Sequence, residues 1–283
     1  MSSSPSCYFC GPAKNCARFL PLVFANLDKI GKDVFDNNYA VVVYYDNSTD
    51  ATLRTLRKLQ TKYGPERVQI VVNNKAPLQF RTHRIARARN ACLKRIALLP
   101  EEERPPHFVM MDFDDVNCKR HVDTHMLKQH LVERDDWDAL SFNTAPSYYD
   151  IWALSIYPFC FSYNHFKNTP RHNYSIIQAY VARLLRKADK ENELVQCLSA
   201  FNGFAIYKTK VFIDAKYDGR VRTDLVPRFF MNAHQRAAKS PLIGHDYGNV
   251  DGRYEDCEHR AFHMQAIRQH NARIRISPKT LFT

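Results

Sequence analysis

The segment His107-Phe-Val-Met-Met-Asp-Phe-Asp-Asp-Val-Asn117 decides the fold, because residues suited to a buried strand end abruptly in three carboxylates. Side chains two apart in a strand share a direction, so Asp112 and Asp114 are expected to project together at the carboxyl end while Phe113 turns the other way. Two hard oxygen ligands on one side suit Mg²⁺ or Mn²⁺, ions that keep several waters and commonly share a diphosphate. A solvated acidic turn is the plainer reading of the same residues, and their place at a strand end is what favours the cation.

Working outward, strands and helices alternate on the amino-terminal side. Cys7-Tyr-Phe-Cys10 and Ala40-Val-Val-Val-Tyr-Tyr45 read as strands, with a helix between Ala13 and Ile30 that Pro21 is placed to interrupt. Asp50 stands at an N-cap position, and Leu53, Leu56, Leu59 and Tyr63 recur at helical spacing up to Gly64-Pro65. Val68-Gln-Ile-Val-Val72 is the next strand, and Thr82 to Leu99 a helix with Ile85, Cys92, Ile96 and Leu99 on one stripe.

This alternation predicts an α/β fold, with a Rossmann-like, mostly parallel central sheet and helices on both faces. Ligands of such sheets bind beyond the carboxyl ends of the strands, which gathers Gly11–Asn15, Asp46–Asp50, Asn73–Arg84 and Asp112–Asn117 at one edge. Beyond residue 118 the pattern loosens. It reads as a helix near 122–133, a strand Ala139–Phe142, an aromatic-rich stretch 148–165, a helix from about Tyr174 to Lys187 and a strand Phe204–Tyr207. A long connection from Tyr217 to Tyr254, a helix Asp256–His270 and a strand Arg273–Ser277 complete it. Residues 1–117 and 118–283 are expected as two halves of one compact domain.

Composition sets outer bounds. A chain of 283 residues, 45% hydrophobic and 25% charged, is neither disordered nor fibrous. Its 41 basic against 29 acidic side chains leave +12, which favours an anionic partner. The opening Met1–Ser6 lacks a secretory pattern and no apolar run approaches the ~20 residues that cross a bilayer, so a cytoplasmic location is expected. Eight scattered cysteines read as reduced thiols. Cys7 and Cys10, with Cys16 nearby, have no second pair at zinc-site spacing and are expected to be ordinary buried residues.

Three other segments carry chemistry. Asp46-Asn-Ser-Thr-Asp50 offers a carboxylate to a nucleobase or ribose, and equally an Asx turn with an N-cap. Arg81-Thr-His-Arg-Ile-Ala-Arg-Ala-Arg-Asn90 sets Arg84 and Arg87 on neighbouring positions near a helix N-terminus, an arrangement that suits a diphosphate as well as a solvated basic face. In Tyr254-Glu-Asp-Cys-Glu-His-Arg-Ala-Phe-His263, Cys257, Ala261 and Met264 form an inner stripe. Glu255, His259 and His263 share another face, able to complete a metal sphere, present a base or simply cap the helix.

Taken in order, these segments resemble nucleotide-sugar-dependent glycosyltransferases of the GT-A fold over most of the chain. Asp46–Asp50 followed by Thr52 looks like the acidic loop such enzymes place against the base. Ile85-Ala-Arg-Ala-Arg-Asn90 is similar to the Ala-x-Arg-Asn helix of fungal capsule-type mannosyltransferases, and Asp112-Phe-Asp114 looks like the family's Asp-x-Asp. Tyr148-Tyr-Asp-Ile-Trp-Ala153 resembles the capsule-type Tyr-Asp-x-Trp-Ala segment, Phe201–Tyr207 the Gly-containing strand beside the donor sugar, and Glu255-Asp256 the late Glu-Asp pair in which inverting members keep their base.

The resemblance implies transfer of a sugar from a UDP- or GDP-linked donor to an acceptor hydroxyl on a glycan or glycoconjugate. Asp112 and Asp114 would hold Mn²⁺ or Mg²⁺ on the diphosphate, with His259 or His263 as a third ligand. Arg81, Arg84 and Arg87 would add donors, Asp46 would orient the base, and Asp112, Asp150, Trp152 and Gly203 would adjoin the nucleotide sugar. If transfer inverts, Asp256 is the first choice for the catalytic base, with Glu255 and Glu258 behind it; if it retains, these carboxylates only position the acceptor. The first half then binds the nucleotide sugar and the second the acceptor. Fungal relatives usually carry an amino-terminal membrane helix, missing here, which favours a bacterial, viral or cytosolic setting. A sugar-nucleotide-forming nucleotidyltransferase is the alternative, although no Gly-rich loop cradles a triphosphate. A basic nucleic-acid-binding module is the other, against which the basic residues are spread and no RNA-recognition signature appears, so no nucleic acid partner is expected.

Overall fold

The strands β1 (Cys7–Ala13), β2 (Tyr39–Tyr45), β3 (Val68–Val72) and β4 (His107–Met111) are rich in apolar residues, and β1, β2 and β4 are covered on both faces. Their alternate side chains serve two cores. Tyr8, Cys10, Val42, Tyr44, Phe108 and Met110 pack on one side, and Phe9, Val41, Val43, Val109 and Met111 on the other. The structure is a computed structural model that describes residues 4–161, 172–238 and 255–283.

The helices divide between the two cores. α1 (Leu20–Phe35), α2 (Thr52–Tyr63) and α4 (Thr124–Glu133) cover one face, while α3 (Arg81–Ala97), α5 (His172–Glu191), the short α6 (Thr209–Phe212) and α8 (Glu258–His270) cover the other. α7 (Arg228–Ala238) packs into a smaller cluster with Cys160, Phe161 and Met264. With β5 (Ala139–Asn143), β6 (Val195–Cys197), β7 (Phe204–Lys208) and β8 (Ile274–Thr280), the sheet runs β3-β2-β1-β4-β7-β5-β8-β6. β1, β2, β3 and β4 pair in parallel, as do β5 and β8, whereas β7 is antiparallel to both β4 and β5, and β6 to β8. From β1 the chain steps outward to β2 and β3, then returns to β4 on the opposite side of β1. The carboxyl ends of β1 and β4 therefore flank a topological switch point, where open α/β sheets bind ligands.

Local differences from the sequence reading have simple causes. Pro21 lies in the first turn of α1 and starts the helix rather than interrupting it, because the N–H it lacks has no partner there. β6 has three residues, too few to show a period. The connection expected across 217–254 contains a 3-10 turn at Thr223–Leu225 and α7, while 239–254, including Tyr254, lie outside the described residues, as do 162–165 of the aromatic stretch. All eight cysteines are free, and Cys7 and Cys10, three apart on one strand, face opposite cores. Among the described residues no helix is long and apolar enough to cross a membrane.

Phe9 is fully buried, with its ring edge-on to Phe35 and Tyr39 at 6.0 and 5.7 Å. Phe9→Ala is expected to cost about 3–5 kcal/mol, seen in urea unfolding as a lower midpoint with an unchanged slope.

Candidate active site

Beyond Met111 the chain leaves the sheet. Phe113 is buried against Phe24, with ring centroids 5.9 Å apart, while Asp112 and Asp114 both line a cleft of about 240 Å³. The turn is held from beneath: the Gly203 carbonyl accepts from the Asp112 amide at 2.9 Å and from Asn117 Nδ2 at 2.8 Å, and Asn117 Nδ2 also donates to the Asp112 carbonyl at 2.7 Å. Gly203 has φ +83°, and a Cβ there would meet Val116 Cγ1 at 2.5 Å and the Tyr149 hydroxyl at 2.8 Å, so glycine is required.

The rest of the cleft wall is Pro12, Lys14 and Cys16 at the end of β1, Asp46 after β2, Arg81, Arg84, Ile85 and Ala88 from α3, and part of Phe113 itself. Of the residues expected from sequence, the structure thus brings Asp46, Arg81, Arg84, Asp112 and Asp114 together. Asp46 accepts from Lys14 Nζ at 3.0 Å and Asn73 Nδ2 at 2.8 Å; burial works against its charge, yet these donors hold its carboxyl below the ordinary value. Arg84 donates to the carbonyls of Leu78 (2.7 Å) and Gln79 (3.1 Å). Arg87 turns outside the cleft wall to the Ala76 carbonyl at 2.8 Å, so it braces the loop before α3.

The residue that sequence reasoning passed over is Arg89. It is 2% exposed, donates through Nη2 to Asp112 Oδ1 and through Nε to Glu258 Oε1, both at 2.9 Å, and lies 4.4 Å over the Phe201 ring. A signal was present, since Arg89 falls three residues after Ala86 and three before Cys92 on the buried stripe of α3, where a charge must be paired.

Around this guanidinium the carboxylates are in excess. Asp114 is pushed up to about 7 by burial and by Asp112, and Asp150 up to about 6 by burial, Asp112 and, more weakly, Glu258. Burial also raises Glu258, against the pull of Arg89. Asp112 and Glu258 thus share one buried cation, while Asp114 and Asp150 feel the charge of Asp112 without a share of it, and Arg81 acts on Asp114 from the rim. Paired hard oxygens carrying surplus charge fit Mg²⁺ or Mn²⁺. Among the described residues no three His, Cys, Asp or Glu side chains are grouped to hold a metal. Asp112 and Asp114 therefore suit an ion whose shell is completed by water and substrate oxygens.

Two expectations about α8 require correction. His259 and His263 do not join the aspartates, because this stretch of α8 is buried all round and their face turns into the core against β7. His263 sits with Nδ1 3.0 Å from the Ser199 hydroxyl and Nε2 3.1 Å from that of Tyr207, and His259 stacks on Phe201 at 3.8 Å. Asp256 is 2% exposed and accepts from Arg260 Nε and the Cys257 amide, both at 2.7 Å. Arg260 is in turn anchored on the carbonyls of Trp152, Leu154 and Cys160, so Asp256 is half of a buried ion pair rather than an accessible base. Glu255 accepts from the Thr82 amide and hydroxyl at 3.0 Å each, closing the start of α3, and Glu258 is committed to Arg89. Trp152 is half-buried and packs on the core. Asp150 caps the 3-10 turn Ile151–Ala153, and its amide and that of Tyr149 donate to Asn202 Oδ1 at 3.1 and 3.2 Å.

No protein-family model matches the chain, and no curated protein does. Among solved structures it is similar to S. aureus TarS (residues 1–349) at 14% identity and a TM-score of 0.48, covering 98% of this chain and 59% of that one. It is also similar to the mannosyltransferase PcManGT from Pyrobaculum calidifontis, in complex with GDP-Man and Mn²⁺, at 14% identity, a TM-score of 0.42, and 77% and 48% coverage. A third is the galactosyltransferase LgtC with donor and acceptor sugar analogs, at 14% identity, a TM-score of 0.35, and 88% and 70% coverage. The chain spans 59% of the length of the first of these.

The buried histidines set a pH dependence of stability. Burial lowers His107 and His130 to about 4, His263 to about 3, and His259 well below 6.5, so these four take up protons only on unfolding as the pH falls below about 6.5. Asp114, Asp150 and Glu258 act oppositely, because the fold raises them and retains their protons. Carboxyls that donors hold low, Asp46, Asp138 and Asp218 among them, add to the histidine side, so the unfolded chain binds the more protons and stability falls as the pH is lowered. Melting curves in EDTA should shift to lower temperature between pH 6.5 and 4.5; a rise would contradict the assigned burial.

Proposed function

We propose that the chain transfers a sugar from a UDP- or GDP-linked nucleoside diphosphate sugar to an acceptor hydroxyl on a glycan or glycoconjugate, with Mn²⁺ or Mg²⁺ as cofactor. The observation that carries this reading is one cleft at the switch point, with the Asp112–Asp114 pair facing a cationic rim of Lys14, Arg81 and Arg84. Carboxylates alone would repel a diphosphate and cations alone would need no carboxylates. Their combination matches a diphosphate that arrives with a divalent ion.

The residues then divide the work. Arg81 and Arg84, at the start of α3, donate to the diphosphate where the helix N-terminus also favours negative charge. Asp46, oriented by Asn73 and Lys14, accepts from an N–H of the base or a ribose hydroxyl. Asp112 and Asp114 hold the ion, and Arg89 fixes the direction of Asp112. When bound, the ion neutralises charge that grows on the departing diphosphate. The partly exposed Tyr149, adjacent to Asp150, offers a face on which sugar C–H groups can stack.

Thermal shift tests this reading. Mn²⁺ together with UDP or GDP should stabilise the protein, by about 2.7 kcal/mol at a ligand concentration of a hundred times Kd, and more than either alone. Asp114→Asn removes a repelling buried charge, so it should melt no lower than the parent yet lose the ion-dependent gain, and Arg84→Ala should weaken it. Nucleotide shifts that ignore Mn²⁺, or persist in Asp114→Asn, would overturn the site.

A further inference from the structure

We propose that Asp150 takes the proton from the acceptor hydroxyl, so that transfer inverts the anomeric centre; this rests on the transferase reading above. The three acidic residues that the sequence offered as the base are committed elsewhere. Asp256 is buried against Arg260, Glu258 is buried against Arg89, and Glu255 closes the start of α3. Asp46 lies beside Lys14 at the end of β2, while Asp112 and Asp114 are assigned to the ion.

What holds the Asp150 segment beside the Asp112 turn is a pair of consecutive residues, Asn202 and Gly203, both in the left-handed region at φ 56° and 83°. The side chain of Asn202 receives the amides of Tyr149 and Asp150, and the carbonyl of Gly203 receives that of Asp112. One short turn thus fixes the Asp150 segment next to that of Asp112, close enough for Asp112 to act on Asp150 electrostatically. Asn202 is itself anchored, its Nδ2 donating to the Phe142 carbonyl at 2.8 Å and the Thr144 hydroxyl at 3.2 Å.

In this step the Asp150 carboxylate accepts the hydroxyl proton and the acceptor oxygen forms a bond to C1 of the donor sugar. The bond from C1 to the diphosphate oxygen breaks, and its electron pair leaves with the nucleoside diphosphate. The nearly isosteric Asp150→Asn keeps an oxygen for the Ala153 amide and loses only the base.

The experiment measures UDP or GDP release from a panel of UDP- and GDP-sugars with Mn²⁺ and simple glycoside acceptors, alongside thermal shift and the anomeric configuration of the product by NMR. Asp150→Asn is expected to melt within a few degrees of the parent and keep its response to UDP or GDP with Mn²⁺. Its kcat should fall about 10²–10⁴-fold with acceptor KM little changed. Asp256→Asn should instead lower the melting temperature. A kcat for Asp150→Asn within tenfold of the parent, or a retained configuration in the parent's product, would overturn the assignment alone. A parent that neither binds nor cleaves any nucleotide sugar would overturn the transferase reading with it.

Discussion

The structure of the site depends on one buried guanidinium. Arg89 ties α3 to the end of β4 through Asp112 and to the start of α8 through Glu258, with its plane over Phe201. Removing one partner of a buried pair leaves an uncompensated charge, at a cost of about 3–5 kcal/mol, so the three elements are held in one arrangement. Arg89 pairs with Asp112 and Glu258 and makes no hydrogen bond to Asp114 or Asp150. The fold therefore accumulates negative charge at the switch point and places Lys14, Arg81 and Arg84 opposite it.

The two parts of the sheet meet at the same place. The parallel strands deliver Lys14, Asp46 and Asp112 to one edge, as successive parallel strands must. The antiparallel β7 enters the sheet beside β4 with Asn202 and Gly203 immediately before it, and these two residues orient both the Asp112 turn and the Asp150 segment. An antiparallel neighbour is what allows a chain entering β7 to support the end of β4.

Much of this was legible in the sequence. β-branched and aromatic runs marked seven of the eight strands, and the rule for open α/β sheets put Asp46, Arg84, Asp112 and Asp114 at one edge before any side chain was placed. What was hidden involved burial. An arginine among arginines reads as a basic face, and only its position on the stripe of α3 separates Arg89 from Arg87. Asp256 and Arg260 are four apart, a spacing that signals an ion pair, but the sequence does not show that both are enclosed. The spacing of His259 and His263 correctly put them on one face of α8. It could not show that this face also has a core to enter, formed by Phe201, Tyr207 and Ser199.

In the proposed site Asp112 and Asp114 hold a divalent ion that becomes tightly bound only when a diphosphate completes its shell. Electron paramagnetic resonance of Mn²⁺ titrated into the protein measures this directly. Weak Mn²⁺ binding to the protein alone is expected, with a marked gain in bound ion on adding UDP or GDP beyond that of the nucleotide in buffer, and no such gain in Asp114→Asn. Equal Mn²⁺ binding with and without nucleotide, or a gain unchanged in Asp114→Asn, would contradict it.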